Sequence, residues 1–261
     1  MIDQMMDQAF PRIGLGMERY GAYISNNHLL KDQRSPAPGV LDALSLNINE
    51  LKGKKVLDIC IGQGNTILEG HQLGVDIYGI DLVPAFNPTP EERIASPQVA
   101  ELIDKARLKL IDINSKYPGK IFAADGTSSL PFKDDFFDIS YSHLGLPGYA
   151  RSPEEAVNSL LEMIRVSKEK VAINPVWEDL HNKRDYLVCK SANGKFKFRL
   201  QDFLKSLDKY GVKFEPQIER FSGWETIESN IHIDCTRKNL AQLKIDHNAI
   251  IAQAKKYVKT D

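Results

Sequence analysis

With 261 residues, 42% of them hydrophobic and 26% charged, the chain has room for one large globular domain, or one domain with a small appendage. Its 34 basic and 35 acidic side chains nearly cancel, which argues against a global electrostatic pull on nucleic acid or an anionic membrane. No apolar run approaches the roughly 18 residues of a membrane-spanning helix, and Met1-Ile2-Asp3-Gln4 lacks the basic-then-apolar order of a secretory signal.

Residues 1–35 are polar and irregular and read as an N-terminal extension; the domain proper is expected over 36–261. Ser35-Pro36-Ala37-Pro38-Gly39 is a breaker cluster. Val40, Leu41, Leu44 and Ile48 then recur at helical spacing, and Gly53 is expected to close that helix. From Lys54 short apolar runs alternate with amphipathic stretches. Strands are predicted at Val56–Ile61, Val75–Ile80, Ile121–Ala124, Phe137–Tyr141 and Val171–Ile173. Helices are predicted at Asn65–Leu73, at about 91–116, and after Ser152-Pro153-Glu154-Glu155, where Ser152 caps and Glu155 closes a capping box. Such alternation implies a parallel sheet with helices on both faces. The last third departs from it. Ala192-Asn193-Gly194 signals a hairpin over about 185–200. A helix is expected at 201–210, strands at 212–214 and 231–235, and a lysine-bearing helix at 238–258 whose charges read as a solvated face.

Cys60, Cys189 and Cys235 are widely spaced, with no CxxC pair and no Cys/His cluster of zinc spacing. Reduced thiols, a cytoplasmic location and no metal site are therefore expected.

The most informative segment is Val56-Leu57-Asp58-Ile59-Cys60-Ile61-Gly62-Gln63-Gly64-Asn65-Thr66. A buried strand ends in an acid and passes through Gly-x-Gly into a helix. Glycines allow a sharp turn and close approach of a ligand, and open parallel sheets bind ligands beyond their carboxyl ends. A dinucleotide site wants G-x-G-x-x-G; here the third glycine position is Ile67, and Asp58 would repel a pyrophosphate. A carboxylate suits a ligand with a positive amino group.

The segment resembles the first motif of the class I S-adenosylmethionine-dependent methyltransferases, with Cys60 where the family has its first glycine. Three further signals follow in order. Asp81 ends the second predicted strand 19 residues after Gly62, a spacing that also fits a dinucleotide site. Ala124-Asp125-Gly126 ends the third. Leu130-Pro131-Phe132-Lys133-Asp134-Asp135-Phe136-Phe137-Asp138 matches a family pattern. The resemblance covers roughly residues 54–175, about half the chain. It implies a doubly wound, Rossmann-like α/β fold with a mainly parallel sheet of seven strands, the last antiparallel. It also implies S-adenosylmethionine as cofactor and S-adenosylhomocysteine as product. Asp58, Cys60, Gly62, Gln63, Gly64, Asp81, Leu82, Asp125 and Gly126 would form the cofactor site, with Asp81 on the ribose and Asp125 on the adenine amino group; a turn-forming role for Asp125 is the alternative.

By the same resemblance, the loop after the fourth strand lies beside the transferred methyl. His143 is the candidate base, since an imidazole titrates near neutrality. Tyr20, Tyr23, Tyr149 and Trp177 are candidates for the acceptor pocket, and Asn174-Pro175-Val176-Trp177 is expected as a turn lining it. The Asn-Pro-Pro-Tyr signature of nucleobase amino methyltransferases follows the fourth strand, not the fifth, so this segment is not identified with it. The reading is a methyltransferase for an oxygen, nitrogen or carbon of a small molecule, without nucleic-acid or membrane partners. The alternatives are a module of this fold without activity, and a protein methyltransferase.

Overall fold

The computed structural model describes residues 37–85, 89–95, 97–143, 145–178, 187–190, 196–218 and 228–259. Strands β1 (Lys55–Ile59), β2 (Asp76–Asp81) and β3 (Ile121–Ala123) pair in parallel in that order. On the other side of β1 lies β4 (Phe137–His143), parallel to it, followed by β5 (Ser167–Glu178), parallel to β4. The two later segments that the sequence marks as apolar form β8 (Lys213–Ile218) and β9 (Glu228–Asp234). β9 runs antiparallel to β5, and β8 antiparallel to β9. Seven strands thus lie in the order β3-β2-β1-β4-β5-β9-β8, mainly parallel with an antiparallel β9, as the sequence implies. The chain moves outward from β1 to β3 and then returns to the far side of β1. The switch point, where ligands bind in such sheets, therefore lies between β1 and β4.

Each face of the sheet carries its own core. Val56, Ile77, Ile139, Tyr141 and Ala172 face α1 (Ala37–Ala43), α2 (Ile48–Leu51), α3 (Asn65–Gln72) and α5 (Pro97–Lys116). Leu57, Ile59, Ile80, Val171 and Ile173 face α6 (Pro153–Val166), α7 (Leu200–Ser206) and α8 (Leu240–Ala252). Burial on both faces explains why these strands read as continuous apolar runs instead of alternating ones. Helix–strand contact is closest where glycines permit it. A Cβ on Gly79 of β2 would lie 2.6 Å from Ile61 and 2.9 Å from Ile67. The space that a third motif glycine would leave on α3 is therefore supplied from the strand side.

Several predicted elements are refined. The helix expected to run from Val40 to Gly53 is two helices, α1 and α2. Ser45 adopts φ +53 between them, and the Asn47 side chain accepts from the Asn49 N–H at 2.9 Å to start the second. The helix at 91–116 is likewise divided, into α4 (Pro90–Ala95) and α5, with Pro97 in the first turn of the second, where its missing N–H costs nothing. Ser152 caps α6 as expected, accepting from the Glu155 N–H at 3.2 Å. The C-terminal helix is shorter than predicted: α8 ends at Ala252, a 3₁₀ turn spans Ala254–Tyr257, and Val258–Lys259 forms β10.

The segment 174–177 is a correction. It is not a turn: β5 continues through it to Glu178. Its pairing with β9 shifts register between Ile173 and Val176, so Pro175, which has no N–H, sits at an irregularity of the ladder. Beyond it β5 pairs with β6 (Leu187–Lys190), and β6 pairs with β7 (Lys197–Arg199), forming the two strands of the expected hairpin. The predicted hairpin turn at 192–194 lies outside the described residues, as does the N-terminal extension. β10 pairs with β7 and completes a sheet of ten strands among the described residues. Among the described residues no helix is long and apolar enough to cross a membrane.

Candidate cofactor and acceptor site

The β1–α3 connection is built from left-handed residues: Cys60 at φ +69, Gly62 at φ +56 and Gly64 at φ +74. Cys60 thus takes the conformation that a glycine would take at the first position of the motif. The N–H groups of Cys60 and Ile61 both donate to the Ile80 carbonyl, at 2.9 and 3.2 Å, which ties the turn to the end of β2. Gly64 is also required by packing, since a Cβ there would lie 2.8 Å from Leu110 Cδ2 and 3.0 Å from Ile113 Cδ1 on α5. Gln63 is half-buried at the tip.

Two acids organise this loop. Asp58 is completely buried, and its Oδ2 accepts from the Thr66 hydroxyl on the first turn of α3. Asp81, 5% exposed, accepts from the Gly62 N–H through Oδ2 at 2.8 Å and from the Val83 N–H through Oδ1 at 2.9 Å. The ends of β1 and β2 are thereby joined through one carboxylate. Leu82, half-buried, packs on the core beneath. Asp125 after β3 forms the turn considered from the sequence. Its Oδ1 accepts from the Thr127 N–H at 2.9 Å and the Thr127 hydroxyl at 2.7 Å. A Cβ on Gly126 would lie 2.7 Å from Leu146 Cδ1 and 2.9 Å from Ile59 Cγ2, so this glycine lets the loop after β4 close over β1.

His143 is the last residue of β4, half-buried, and pairs in register with Asn174 of β5. The loop that follows is pinned by Ser142, whose hydroxyl donates to the Ile59 carbonyl at 3.3 Å and accepts from the Leu146 N–H at 2.7 Å. It contains the cis Leu146–Pro147 peptide and a hydrogen bond from the Tyr149 N–H to the Gly145 carbonyl at 3.2 Å. Tyr149 packs half-buried against the core. Asn174 donates through Nδ2 to Asn230 Oδ1, and Asn230 donates to the Ser45 hydroxyl at 3.2 Å. This polar row runs from beside His143 to Ser45, just past the C-terminal end of α1. Tyr20 and Tyr23 lie outside the described residues. Trp177 lies in β5 with its backbone opposite Val188 and Glu228, and its side chain is outside the described residues.

The Leu130–Asp138 run owes its geometry to two side chains of α6 that the sequence reading did not single out. Glu162, 4% exposed, accepts from the Leu130 N–H at 2.6 Å and from Arg165 at 2.7 Å. Arg165 in turn donates to the carbonyls of Phe132 (2.8 Å) and Leu130 (3.0 Å) and to Asp134 (3.0 Å). The hydrogen bond to Glu162 is the main cause raising the Arg165 pKa above its ordinary value. Burial alone would raise that of Asp134, but hydrogen bonds from Lys244 and Arg165 hold it below the usual range. The sequence signal was an acid among Leu161, Met163 and Ile164, on the apolar face of a helix. Among the described residues no group of His, Cys, Asp or Glu is placed to hold a metal.

A Rossmann-like sheet, a left-handed Gly-x-Gly turn at its switch point and an acid on the neighbouring strand define the class I methyltransferase fold. The 1,6-didemethyltoxoflavin-N1-methyltransferase of Burkholderia thailandensis, solved with 1,6-didemethyltoxoflavin and S-adenosylhomocysteine, has this fold. It matches with a TM-score of 0.55 and 11% identity over 86% of this chain and 92% of that one. A candidate RNA methyltransferase of Pyrococcus horikoshii matches with a TM-score of 0.47 and 14% identity, over 89% and 96% of the two chains. Magnesium protoporphyrin IX methyltransferase of Synechocystis, with bound S-adenosylmethionine, matches with a TM-score of 0.46 and 13% identity, over 88% and 89%. No protein-family model and no curated protein matches the sequence.

Proposed function

We propose that the chain is an S-adenosylmethionine-dependent methyltransferase whose acceptor is a small molecule methylated on oxygen, nitrogen or carbon. The observation that carries this reading is the Gly62–Asp81 hydrogen bond of 2.8 Å at the switch point of the sheet. It joins a left-handed glycine turn to the carboxylate that ends the neighbouring strand. The residues suit this cofactor better than a dinucleotide: carboxylates replace anion-binding groups at the turn, and Ile67 fills the third glycine position. When bound, the cofactor supplies an electrophilic methyl on a sulfonium, with a neutral leaving group.

The protein's own part is then largely placement. Asp81, its plane fixed by two backbone N–H groups, accepts from the ribose hydroxyls. Asp125 and Gly126 border the adenine. Asp58 acts through Thr66, seating the first turn of α3 beneath the methionine portion. His143, at the end of β4, takes the proton of an acceptor hydroxyl or amine as the nucleophile forms. Proximity and alignment supply much of the rate for such an in-line displacement. Tyr149, Trp177, Tyr20 and Tyr23 are the proposed walls of the acceptor pocket. The balanced charge of the chain favours a small acceptor over nucleic acid.

The test is a thermal shift with S-adenosylmethionine and S-adenosylhomocysteine on the wild type and on Asp81→Asn. Ligand that binds the native state alone raises its melting temperature. A shift in the wild type that the variant lacks supports the reading, and no shift in the wild type overturns it in favour of an inactive module. Isotope-labelled cofactor added to a cell extract then separates acceptors: label on a protein band instead of a metabolite points to a protein methyltransferase.

A further inference from the structure

Helix α5, which crosses from β2 to β3, carries a lysine that pairs differently from its neighbours. Lys105 is bonded to Glu101 at 2.6 Å and Lys116 to Asp112 at 2.7 Å, each with the acid one turn before it and each on the exposed side of the helix. Lys109 has Asp112 three residues on, a spacing at which helix side chains meet, yet it crosses to α3. Half-buried, it donates through Nζ to the side-chain oxygen of Asn65, the first residue of that helix. Packing brings it there, since Leu110 and Ile113 close on Gly64 and press α5 against the turn.

Among the described residues Lys109 thus has a neutral amide for a partner and no carboxylate. A side chain of this length ordinarily carries its ammonium out to water, and holding it in one place costs rotamer entropy. The amide oxygen takes up one of three N–H donors and neutralises none of the charge.

A positive charge has a use at this place. Asp58, Asp81 and Asp125 are all buried at the carboxyl ends of β1, β2 and β3. Three carboxylates suit the ammonium and sulfonium of S-adenosylmethionine and repel its carboxylate. With the ribose on Asp81 and the adenine beside Asp125, the amino-acid end comes to the start of α3, where Asp58 holds Thr66 and Lys109 holds Asn65.

We propose that Lys109 binds the carboxylate of the cofactor's amino-acid end through the donors that Asn65 leaves over, and that Asn65 fixes the lysine in place for it. The assignment rests on the methyltransferase reading. It makes the amino-acid end, and not the nucleoside alone, what the site selects.

The test compares two ligands by calorimetry at one ionic strength: S-adenosylhomocysteine, and the amine left when its carboxyl group is removed, which keeps the adenosine, thioether and ammonium. The wild type should prefer S-adenosylhomocysteine by roughly 10- to 100-fold, the strength of a hydrogen bond between charged groups. Lys109→Met should lose that preference by weakening S-adenosylhomocysteine, while the amine binds no more weakly than before. Lys109→Gln returns a donor to Asn65 without the charge and should lack the preference too; it also decides the matter if Lys109→Met does not fold. A preference kept by either variant overturns the proposal. So does an equal loss of both ligands, which would make Lys109 a support of the turn only. A wild type that binds both ligands equally well leaves the methyltransferase reading standing and removes Lys109 from the site. One that binds neither ends that reading and this assignment together.

Discussion

The Gly62 N–H lies 2.8 Å from Asp81 Oδ2, so the glycine turn after β1 and the acid that ends β2 are one hydrogen-bonded unit. Asp81 also holds the Val83 N–H, and both bonds are buried. Replacing it by alanine leaves two buried N–H donors without that acceptor, at a cost of about 2–3 kcal/mol. Asparagine retains one acceptor oxygen and should cost about 1 kcal/mol. Asp81→Asn is therefore expected to stay folded in urea titrations while binding S-adenosylhomocysteine at least tenfold more weakly by calorimetry. Wild-type affinity in Asp81→Asn would remove the carboxylate from the cofactor site.

Cys60 and Gly145 form a second coupled pair. Cys60 stands at φ +69, a region that costs an L-residue of this kind about 1 kcal/mol. A Cβ on Gly145 would lie 2.9 Å from Cys60 Cβ and 2.6 Å from Ser142 Oγ. Cys60→Gly should raise stability by about 0.5–1 kcal/mol, the backbone gain being offset in part by greater unfolded-state freedom. Gly145→Ala should cost about 1–3 kcal/mol by overpacking. In the double variant part of that cost should disappear, because the Cys60 side chain is gone, giving a favourable coupling in a double-mutant cycle. Strict additivity would show that the two loops do not press on each other.

How far the sequence announced this molecule follows from what each feature depends on. Cys60, Gly62, Gly64 and Asp81 were legible because a turn at a sheet's switch point depends on local backbone conformation and short spacing. Ser152 and Glu155 were legible for the same reason. The division of the first helix was not: Leu44 and Ile48 keep helical spacing across Ser45, and only the αL conformation there shows the break. The continuation of β5 through Asn174 and Pro175 was hidden because proline argues against a strand, and the register shift that accommodates it depends on β9, more than 50 residues away. Glu162 and Arg165 were overlooked because, besides each other and Asp134, they bind backbone carbonyls and an N–H group of a distant loop, which no residue type announces.

Those two side chains make a prediction of their own. Glu162 is buried and Arg165 half-buried, with side-chain exposures of 5% and 14%, and together they hold the backbone of Leu130 and Phe132. Removing one partner of such a pair strands the other, at about 3–5 kcal/mol. Arg165→Met should therefore unfold at markedly lower urea concentration. The double variant Glu162→Leu with Arg165→Met should recover part of the loss, because neither charge is left buried alone. A double variant less stable than either single one would show that the backbone contacts, and not the charge pair, carry the stability.

Two histidines fix the direction of the acid response. His71 lies 3.0 Å from the Ile77 carbonyl through Nε2 and stacks on Tyr117 at 4.3 Å, and His232 lies 2.7 Å from the Leu44 carbonyl. Burial is the largest cause in each case, and it lowers both pKa values below the ordinary 6.5. The unfolded chain then binds protons more readily than the folded one, so stability rises with pH. The contribution is complete above about pH 6.5 and is lost as pH falls through the lower folded values. Asp134 and Asp234, whose pKa values are held below 3.8, lose theirs only in stronger acid, so of these four groups the two histidines are the ones that respond between about pH 4 and 6.5. Urea midpoints should therefore fall steadily from pH 7 to pH 5 in the wild type, and this slope should flatten in His71→Gln with His232→Gln. A wild-type midpoint that is constant over this interval, or a double variant with undiminished slope, would show that other groups set the acid response.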